Sequence, residues 1–600
     1  MTAELPPDEA LERRCASLFP ARSGKKAGTF KGKHSTDTVQ LAAELVDESG
    51  IVELLNVWRR EDDPGHGTRG GRPAIFSDRH VLILQMLHAI TDDPLLFTEL
   101  ANTVHRRLDP KSYEILALPP MPDADYGSIY TNLRRAAGRF LDVIDSAPFN
   151  SGKRLTYSQV QEIRRRRAEI TDHLAKKHQR ASWVTNQLLH MTHRLLPTEI
   201  RANWKGTICV DGTAMPVWGA RGSPRKADLR PDSICSPEFD AGWHVRSAED
   251  HKDDKRFKRK RDKFVWAYEA TIAVMADDPD TTGQFPKLAL AVSLEKPAGQ
   301  VSENAMICVN EIVNRGLPVN YFVGDRAYLP NAKIEKLQEP LKALGYKLVA
   351  DYNRDQLGIQ DQHAGAIMVE GVWYCKAMPE AQVNASIDYR DGKISKQVHY
   401  ERIDARRPYQ LQVKSNADHN GVVQVRCPCA GPSPTVNCSL KPPKNGKPNL
   451  GIPTILKPPE HPDRICTNRE SVAFGPKTGL KYGQAVPYHS KEWHQLYGTP
   501  RNTVESGNNR IKDEAKAALK LPGRRRGRGY TLQMLYAAFL IAGTNIQLIN
   551  SFRAKTTTTR TTEKIVVRTD RRRRKTTPDS YRQRANAPPL VGPAAEAAAN

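Results

Sequence analysis

Three acidic residues stand where a carboxylate could hold a divalent metal. They are Asp211 in Val210–Asp211–Gly212–Thr213, Asp325 in Gly324–Asp325–Arg326–Ala327–Tyr328, and Glu505 in the stretch from Tyr497 to Lys512 (YGTPRNTVESGNNRIK). Two-metal phosphodiester chemistry needs carboxylates that converge on a pair of hard cations. One ion activates water or a 3′-hydroxyl and the other stabilises the leaving oxygen. Mg²⁺ suits such a site because it keeps several waters and takes few carboxylates, with Mn²⁺ as an alternative ion. On a helix, Arg501, Glu505 and Lys512 share one face, so a cation stands one turn before the glutamate and another two turns after it. Each residue alone has a plainer reading. A strand ending in Asp–Gly is a turn, and Arg501, Glu505 and Lys512 together could be a surface ion-pair ladder.

The elements that must position these side chains follow from the hydrophobic period. Beyond Asn203 it changes from helical to strand-like. Thr207 to Val210, Phe264 to Met275 and Lys287 to Leu294 read as three strands, and Glu303 to Val313 as a helix. Val319 to Val323 is a fourth strand ended by Gly324–Asp325, Lys333 to Leu344 a second helix, and Tyr346 to Ala350 a fifth strand. Strands joined by short turns pair antiparallel, and strands separated by a helix pair parallel. The expected fold is therefore α/β: a mixed five-stranded sheet with flanking helices. Asp211 is placed at the end of the first strand and Asp325 at the end of the fourth.

Residues 1–65 read as an N-terminal extension without a clear pattern, followed by a linker from Pro64 to Pro73. Residues 66–200 read as a helical, DNA-binding domain. Val81, Leu82, Leu84, Leu87 and Ile90 form the stripe of one helix, Asp93–Pro94 breaks it, and Thr98 is the expected cap of a second. That pair is compatible with helix-turn-helix DNA binding and with an ordinary bundle. Longer helices are expected over Ser128 to Asp145 and Ser158 to Leu196, the latter carrying Arg164 to Arg167. Residues 201–351 and 481–552 make up the expected catalytic domain, interrupted by a β-rich insertion at 352–480. Leu532 to Ile549 reads as a buried helix. Residues 553–600 form a basic tail expected to be disordered. The last fifty residues, 551–600, carry 12 Lys or Arg against 4 Asp or Glu.

The whole chain of 600 residues has a formal net charge of +24. Such an excess favours a polyanion, because each cation that neutralises a phosphate releases condensed counterions. Two basic runs, Asp250 to Lys263 and Gly523 to Gly529 (with Arg524, Arg525 and Arg526), read either as phosphate-tracking segments or as solvated loops. The N-terminus is acidic and proline-rich, which is no secretory signal and predicts a cytoplasmic, nucleoid-associated protein. Nine cysteines in such a chain argue against disulfides. Cys15, Cys209, Cys235, Cys308 and Cys375 are scattered and read as packing residues. Cys427, Cys429, Cys438 and Cys466 could supply four thiolates to a structural Zn²⁺ or be incidental thiols.

The ordered set of motifs resembles insertion-sequence transposases of the Asp-Asp-Glu class, and more closely the branch with a Tyr-Arg-Glu-Lys signature. Three residues separate Arg501 from Glu505 and six separate Glu505 from Lys512, as in that branch. Three residues also separate Tyr497 from Arg501, one more than the pattern has. Trp266–Ala267–Tyr268 also matches. The resemblance covers roughly residues 200–550 and implies an RNase H-like catalytic domain, with two Mg²⁺ ions held by Asp211, Asp325 and Glu505. It further implies Arg501, Lys512, Tyr497 and Arg326 near DNA phosphates, cutting of element ends and joining of 3′-hydroxyls to target DNA, and a homodimer in the synaptic complex. An aromatic that holds a flipped base has three candidates, Trp218, Trp266 and Tyr328, each equally readable as core. Two other functions stay open: an RNase H-like nuclease that never joins strands, and a non-catalytic DNA-binding protein descended from a transposase.

Overall fold

Small and β-branched apolar residues dominate the runs between 207 and 350, and they build one mixed sheet. The computed structural model describes residues 32–65, 73–119, 121, 125–150, 152–219, 230–246, 263–297, 299–442, 448–468 and 470–561. Its principal strands are β1 (Ile208–Pro216), β2 (Gly242–Arg246), β3 (Lys263–Met275), β4 (Ala289–Glu295), β5 (Tyr321–Gly324) and β6 (Lys347–Ala350). They run β2-β3-β1-β5-β6 across the sheet, with β4 also on β3. β3 pairs antiparallel with β1 along one side. Along its other side it pairs with β2 through Lys263 to Ala267 and with β4 through Glu269 to Val274. β1–β5 and β5–β6 are parallel, and each parallel crossover carries a helix, Val301–Asn314 and Gln338–Ala343.

All five expected strands are present, and β2 makes a sixth. Its five residues leave Trp243 and Val245 exposed, so no apolar run announced it. Leu337 leaves helical geometry at φ −140°. The helix expected over Lys333 to Leu344 is therefore a 3₁₀ turn, Ile334–Lys336, followed by a short helix.

Two asparagines seal the free edge of β4. Asn186 accepts from Val292 N–H at 2.8 Å and donates to Val292 O at 3.1 Å. Asn545 does the same for Ala289, at 2.9 and 2.8 Å. Edge groups that would otherwise template another strand are thus consumed by two helices. Asn545 lies on Tyr530–Thr561, where Leu535, Tyr536, Ala537, Phe539 and Ile541 are all buried. A helix apolar on every face belongs in a core. Tyr530–Lys555 is long and apolar enough to cross a membrane, but 83% of its apolar window is buried inside the protein, as the sequence implied. Gly543 makes its closest contact: a Cβ there would lie 2.2 Å from Ala89 O of helix Asp78–Ile90.

Of the expected N-terminal extension, residues 1–31 lie outside the described residues, and residues 32–65 are more ordered than their composition suggested. Thr36–Asp47 and Ile51–Asp62 are helices, the first capped by Ser35. The linker expected at Pro64 to Pro73 falls mostly on 66–72, outside the described residues. The second helix of the expected pair begins at Phe97, with no side-chain cap from Thr98, and passes at Thr103 into a π-helical turn. Tyr126–Ile144 matches expectation. The long helix over Ser158 to Leu196 is instead two, Tyr157–Ala168 and Thr171–Arg194, with Ile170 at φ −124° between them. One apolar core extends from Val39 to Ile549, so it is continuous across the boundaries read at 65 and 200.

The insertion holds β7 (Ile359–His363), β8 (Ala366–Val369) and β9 (Val372–Cys375) in one antiparallel sheet. A second contains β10 (Gln412–Ser415), β11 (Val423–Arg426) and β12 (Val472–Phe474). Helices Glu380–Val383, Ala385–Arg390 and Lys396–Asp404, not expected in a β-rich segment, lie between the sheets in sequence. They are held by a buried ion pair, Arg406 Nη1 to Glu370 Oε2 at 2.6 Å, with Ser386 Oγ donating to the same carboxylate oxygen. The tail expected to be disordered falls on 562–600, outside the described residues; before it the helix runs to Thr561.

Candidate active site

Parallel pairing of β1 with β5 ends at Val210↔Gly324. β1 then continues against β3 alone, through Asp211↔Ile272 to Pro216↔Ala267. Asp211 is therefore in mid-strand, a correction to its expected place at a strand end. Its chemical position is nonetheless open, because β5 stops beside it. After Gly324 the chain turns away at Asp325, whose Oδ1 accepts from Ala327 N–H at 2.9 Å and whose carbonyl accepts from Tyr328 N–H at 3.0 Å. The gap between the diverging strands is where the two carboxylates face each other. Gly212 keeps the strand close there: a Cβ would sit 2.6 Å from Glu269 Oε1 and 3.4 Å from Tyr328 Oη. Nothing in the sequence marked Glu269.

Glu505 arrives on helix Thr499–Lys512, which contacts β1 and β5. Pro500 in its first turn is preset for helical φ and lacks the N–H that would go unpaired. Upstream, Ser490 caps Lys491–Trp493, and a π-helical turn, His494–Gly498, links the two helices. Tyr497 stacks on Trp493 with ring centroids 4.6 Å apart.

The three carboxylates meet on one guanidinium. Arg501 Nη1 is 3.3 Å from Asp211 Oδ1, Nη2 is 3.6 Å from Asp325 Oδ2, and Nε is 3.2 Å from Glu505 Oε1. Only the last is the local pair that a surface ladder would give. Asn508, one turn beyond Glu505 and missed as a site residue, donates to Asp211 Oδ2 at 2.8 Å. Burial, the largest influence, and the nearby Asp211 push the Asp325 carboxyl up, while Arg501 opposes them. Burial likewise raises the Tyr497 hydroxyl, with Asp351 and Asp325 adding to it. The donors suit a hard cation: three carboxylates, with the amide oxygen of Asn508 buried and lacking a hydrogen-bond partner. Beside Glu505 runs an open groove of about 650 Å³, lined among others by Arg510, Lys512 and Lys520.

Several expected phosphate contacts are instead engaged within the fold. Arg326 Nε donates to Asp351 Oδ2 at 2.8 Å, and Tyr488 holds the other oxygen at 2.5 Å. Arg525 is 2% exposed and donates to Pro216 O at 2.6 Å. Burial lowers its guanidinium to about 9, and it cannot reach DNA from that position. Arg524 is half-buried and bonds to the carbonyls of Asp92 and Glu514. Arg526 remains exposed, 4.6 Å over the Trp218 ring. Of the aromatic candidates, Tyr328 is buried, Trp266 donates to Glu238 O at 3.0 Å, and Trp218 is 37% exposed. Within the run Arg164 to Arg167, Arg165 pairs with Glu162 and Arg167 with Asp240. The run Asp250 to Lys263 lies outside the described residues up to 262. The helix pair at 78–107 is largely buried, with Thr98 and Arg106 among its few exposed side chains.

Among the described residues, one trio of potential metal-ligating atoms lies mutually within 4.8 Å: those of His34, His88 and Asp93. Arg107 Nη1 already holds Asp93 Oδ2 at 3.0 Å. Both ring nitrogens of His88 have partners, Pro94 O and Thr103 Oγ1, each at 2.8 Å. The trio reads as a buried clamp across the turn at Asp93–Pro94.

No family model, no curated protein and no solved structure matches this chain.

Proposed function

We propose that this chain is a DNA transposase of the insertion-sequence type, which cuts element ends and joins their 3′-hydroxyls to target DNA. The observation that carries this reading is the meeting of Asp211, Asp325 and Glu505, from three distant segments, around one cation. Strand order supports it. Three antiparallel strands followed by two parallel ones, in the order β4-β3-β1-β5-β6, fit an RNase H-like sheet with carboxylates on its first and fourth core strands. Two Mg²⁺ or Mn²⁺ ions bound at these carboxylates would supply the activated nucleophile and the charge stabilisation at the leaving oxygen.

The chain's own groups have separable tasks. Asp211, Asp325 and Glu505 provide hard oxygen donors, and Asn508 orients Asp211 through its second oxygen. Arg501, released from the carboxylates, can bind two oxygens of a phosphate, while Lys512 acts as a point charge in the groove. Arg510 and Lys520 extend the cationic wall along which a DNA backbone can run. Tyr497, packed on Trp493, fixes the approach of the helix that carries Arg501. Acting on two element ends together calls for two copies of the chain in the synaptic complex.

The test is incubation of the purified chain with end-repeat DNA, Mg²⁺ and a target plasmid. Cleavage and joining are expected for the native chain and are expected to be lost in Asp211→Ala. Equal activity in that variant would overturn the site, and cleavage without joining would make the chain a nuclease.

A further inference from the structure

Five of the eight cysteines in the described residues gather in one place, although four separate chain segments supply them. Cys375 ends β9, Cys427 and Cys429 follow β11, Cys438 lies in the loop beyond, and Cys466 sits in the short helix Arg464–Thr467. Cys375 was expected to be a scattered packing residue. Its thiol instead lies close enough to that of Cys427 for each to influence the other's ionisation. Cys427 Sγ is 3.1 Å from Cys429 Sγ, and Cys438 is near enough to Cys429 for the two thiols to influence each other. The row is Cys375–Cys427–Cys429–Cys438. Cys466 is buried nearby, close enough to act on the row electrostatically.

The surroundings need a staple. Between β11 and helix Arg464–Thr467 the described residues form no helix or strand, only an isolated bridge between Asn437 and Thr454. A loop of that length without secondary structure is uncommon in a compact fold unless something else holds it. The apolar support is thin. One small cluster centres on Val369, Tyr374 and Val436, and another on Val425, Ile465 and Phe474. Cysteines belong to both clusters and so lie at their junction. Thiols are weak hydrogen-bond donors and acceptors, so the row supplies little cohesion of its own. A tetrahedral zinc ion holds four sulfurs at about 2.3 Å each and therefore about 3.8 Å apart. Binding would open the 3.1 Å pair and close the wider gaps of the row, in which no three sulfurs lie mutually within 4.8 Å.

We infer that Cys375, Cys427, Cys429 and Cys438 bind one structural zinc ion that pins the loop after β11 to the end of β9, with Cys466 outside the coordination shell. This does not rest on the transposase reading. The experiment is metal analysis of the full-length chain purified from zinc-supplemented medium, with cobalt substitution to detect thiolate ligation by its charge-transfer absorption. One zinc per chain is expected, together with thiolate-to-cobalt bands. Cys427→Ser and Cys375→Ser are expected to lose the ion, and Cys466→Ser to keep it. Should the first two fail to fold, stripping zinc from the native chain with a chelator gives an independent readout: release of one equivalent with a lowered melting temperature. A native chain without zinc that gains no cobalt bands would overturn the proposal. Zinc kept by Cys375→Ser but lost from Cys466→Ser would overturn this ligand set.

Discussion

Arg501 touches every carboxylate of the site, and this has opposite consequences for metal and for DNA. Its guanidinium neutralises Asp211 and Asp325 from a position only a quarter exposed. The Glu505 arm is weaker, since that carboxylate is half-exposed and screened by water. A divalent ion that takes these oxygens must first displace the guanidinium. Removing the competing cation from a partly buried site is expected to be worth about 1–2 kcal/mol, or roughly ten-fold in affinity. Arg501→Ala should therefore bind Mn²⁺ about ten-fold more tightly in the absence of DNA, as measured by calorimetry, while DNA cleavage falls because a phosphate partner is gone. Weaker metal binding in that variant would mean that Arg501 assembles the carboxylates rather than competing for them. The sequence showed the Arg501–Glu505 spacing but not the reach of the guanidinium to Asp211 and Asp325, because that depends on how the helix docks across β1 and β5. Asn508 was hidden for the same reason.

The elements around the site depend on a buried acid outside it. Glu238 is fully buried, accepting from Gly529 N–H at 3.0 Å and from Tyr268 Oη–H at 3.2 Å. It thereby ties β3 to the end of the basic loop that precedes helix Tyr530–Thr561. Burial pushes its carboxyl from 4.5 up to about 7, and the two hydrogen bonds only partly oppose it. A carboxyl raised on folding contributes stability below its unfolded value, and that contribution is lost as pH rises through the folded one. Between pH 4.5 and about 7 the chain should thus lose about 3 kcal/mol from this group. Glu238→Gln should flatten that part of the stability profile in denaturant titrations at several pH values; an unchanged slope would mean the carboxyl titrates normally. Strand order was legible because a continuous apolar, β-rich run marked each long strand, as expected for strands buried on both faces. The break at Glu169–Ile170 was not, since neither residue is Gly or Pro. Nor were the helices at 380–404, where short mixed segments carry no clear period. Arg525 looked like surface charge, and only the packing of the loop against the end of β1 reveals it as a buried donor to Pro216 O.

The charge of the whole molecule, +24, favours a polyanion on electrostatic grounds without saying where one would lie. The fold removes much of the apparent choice. Arg326, Arg524, Arg525, Arg165 and Arg167 spend their donors on carboxylates or carbonyls of the protein. The groove beside Glu505 keeps Arg510 and Lys520 exposed next to the carboxylates. Cations that touch phosphate release counterions on binding, and cations already paired within the fold do not. Each phosphate contact contributes about 0.9 to the slope of log affinity against log salt. Arg510→Ala and Lys520→Ala should therefore each lower that slope by nearly one, weakening binding at low salt to specific and random DNA alike. Arg165→Ala, on the helix Tyr157–Ala168 and paired with Glu162, should leave the slope unchanged. Fluorescence anisotropy across a salt series distinguishes the two classes. If Arg165→Ala flattens the slope and Lys520→Ala does not, the DNA path follows the N-terminal helices, and the groove beside Glu505 is not where the backbone runs.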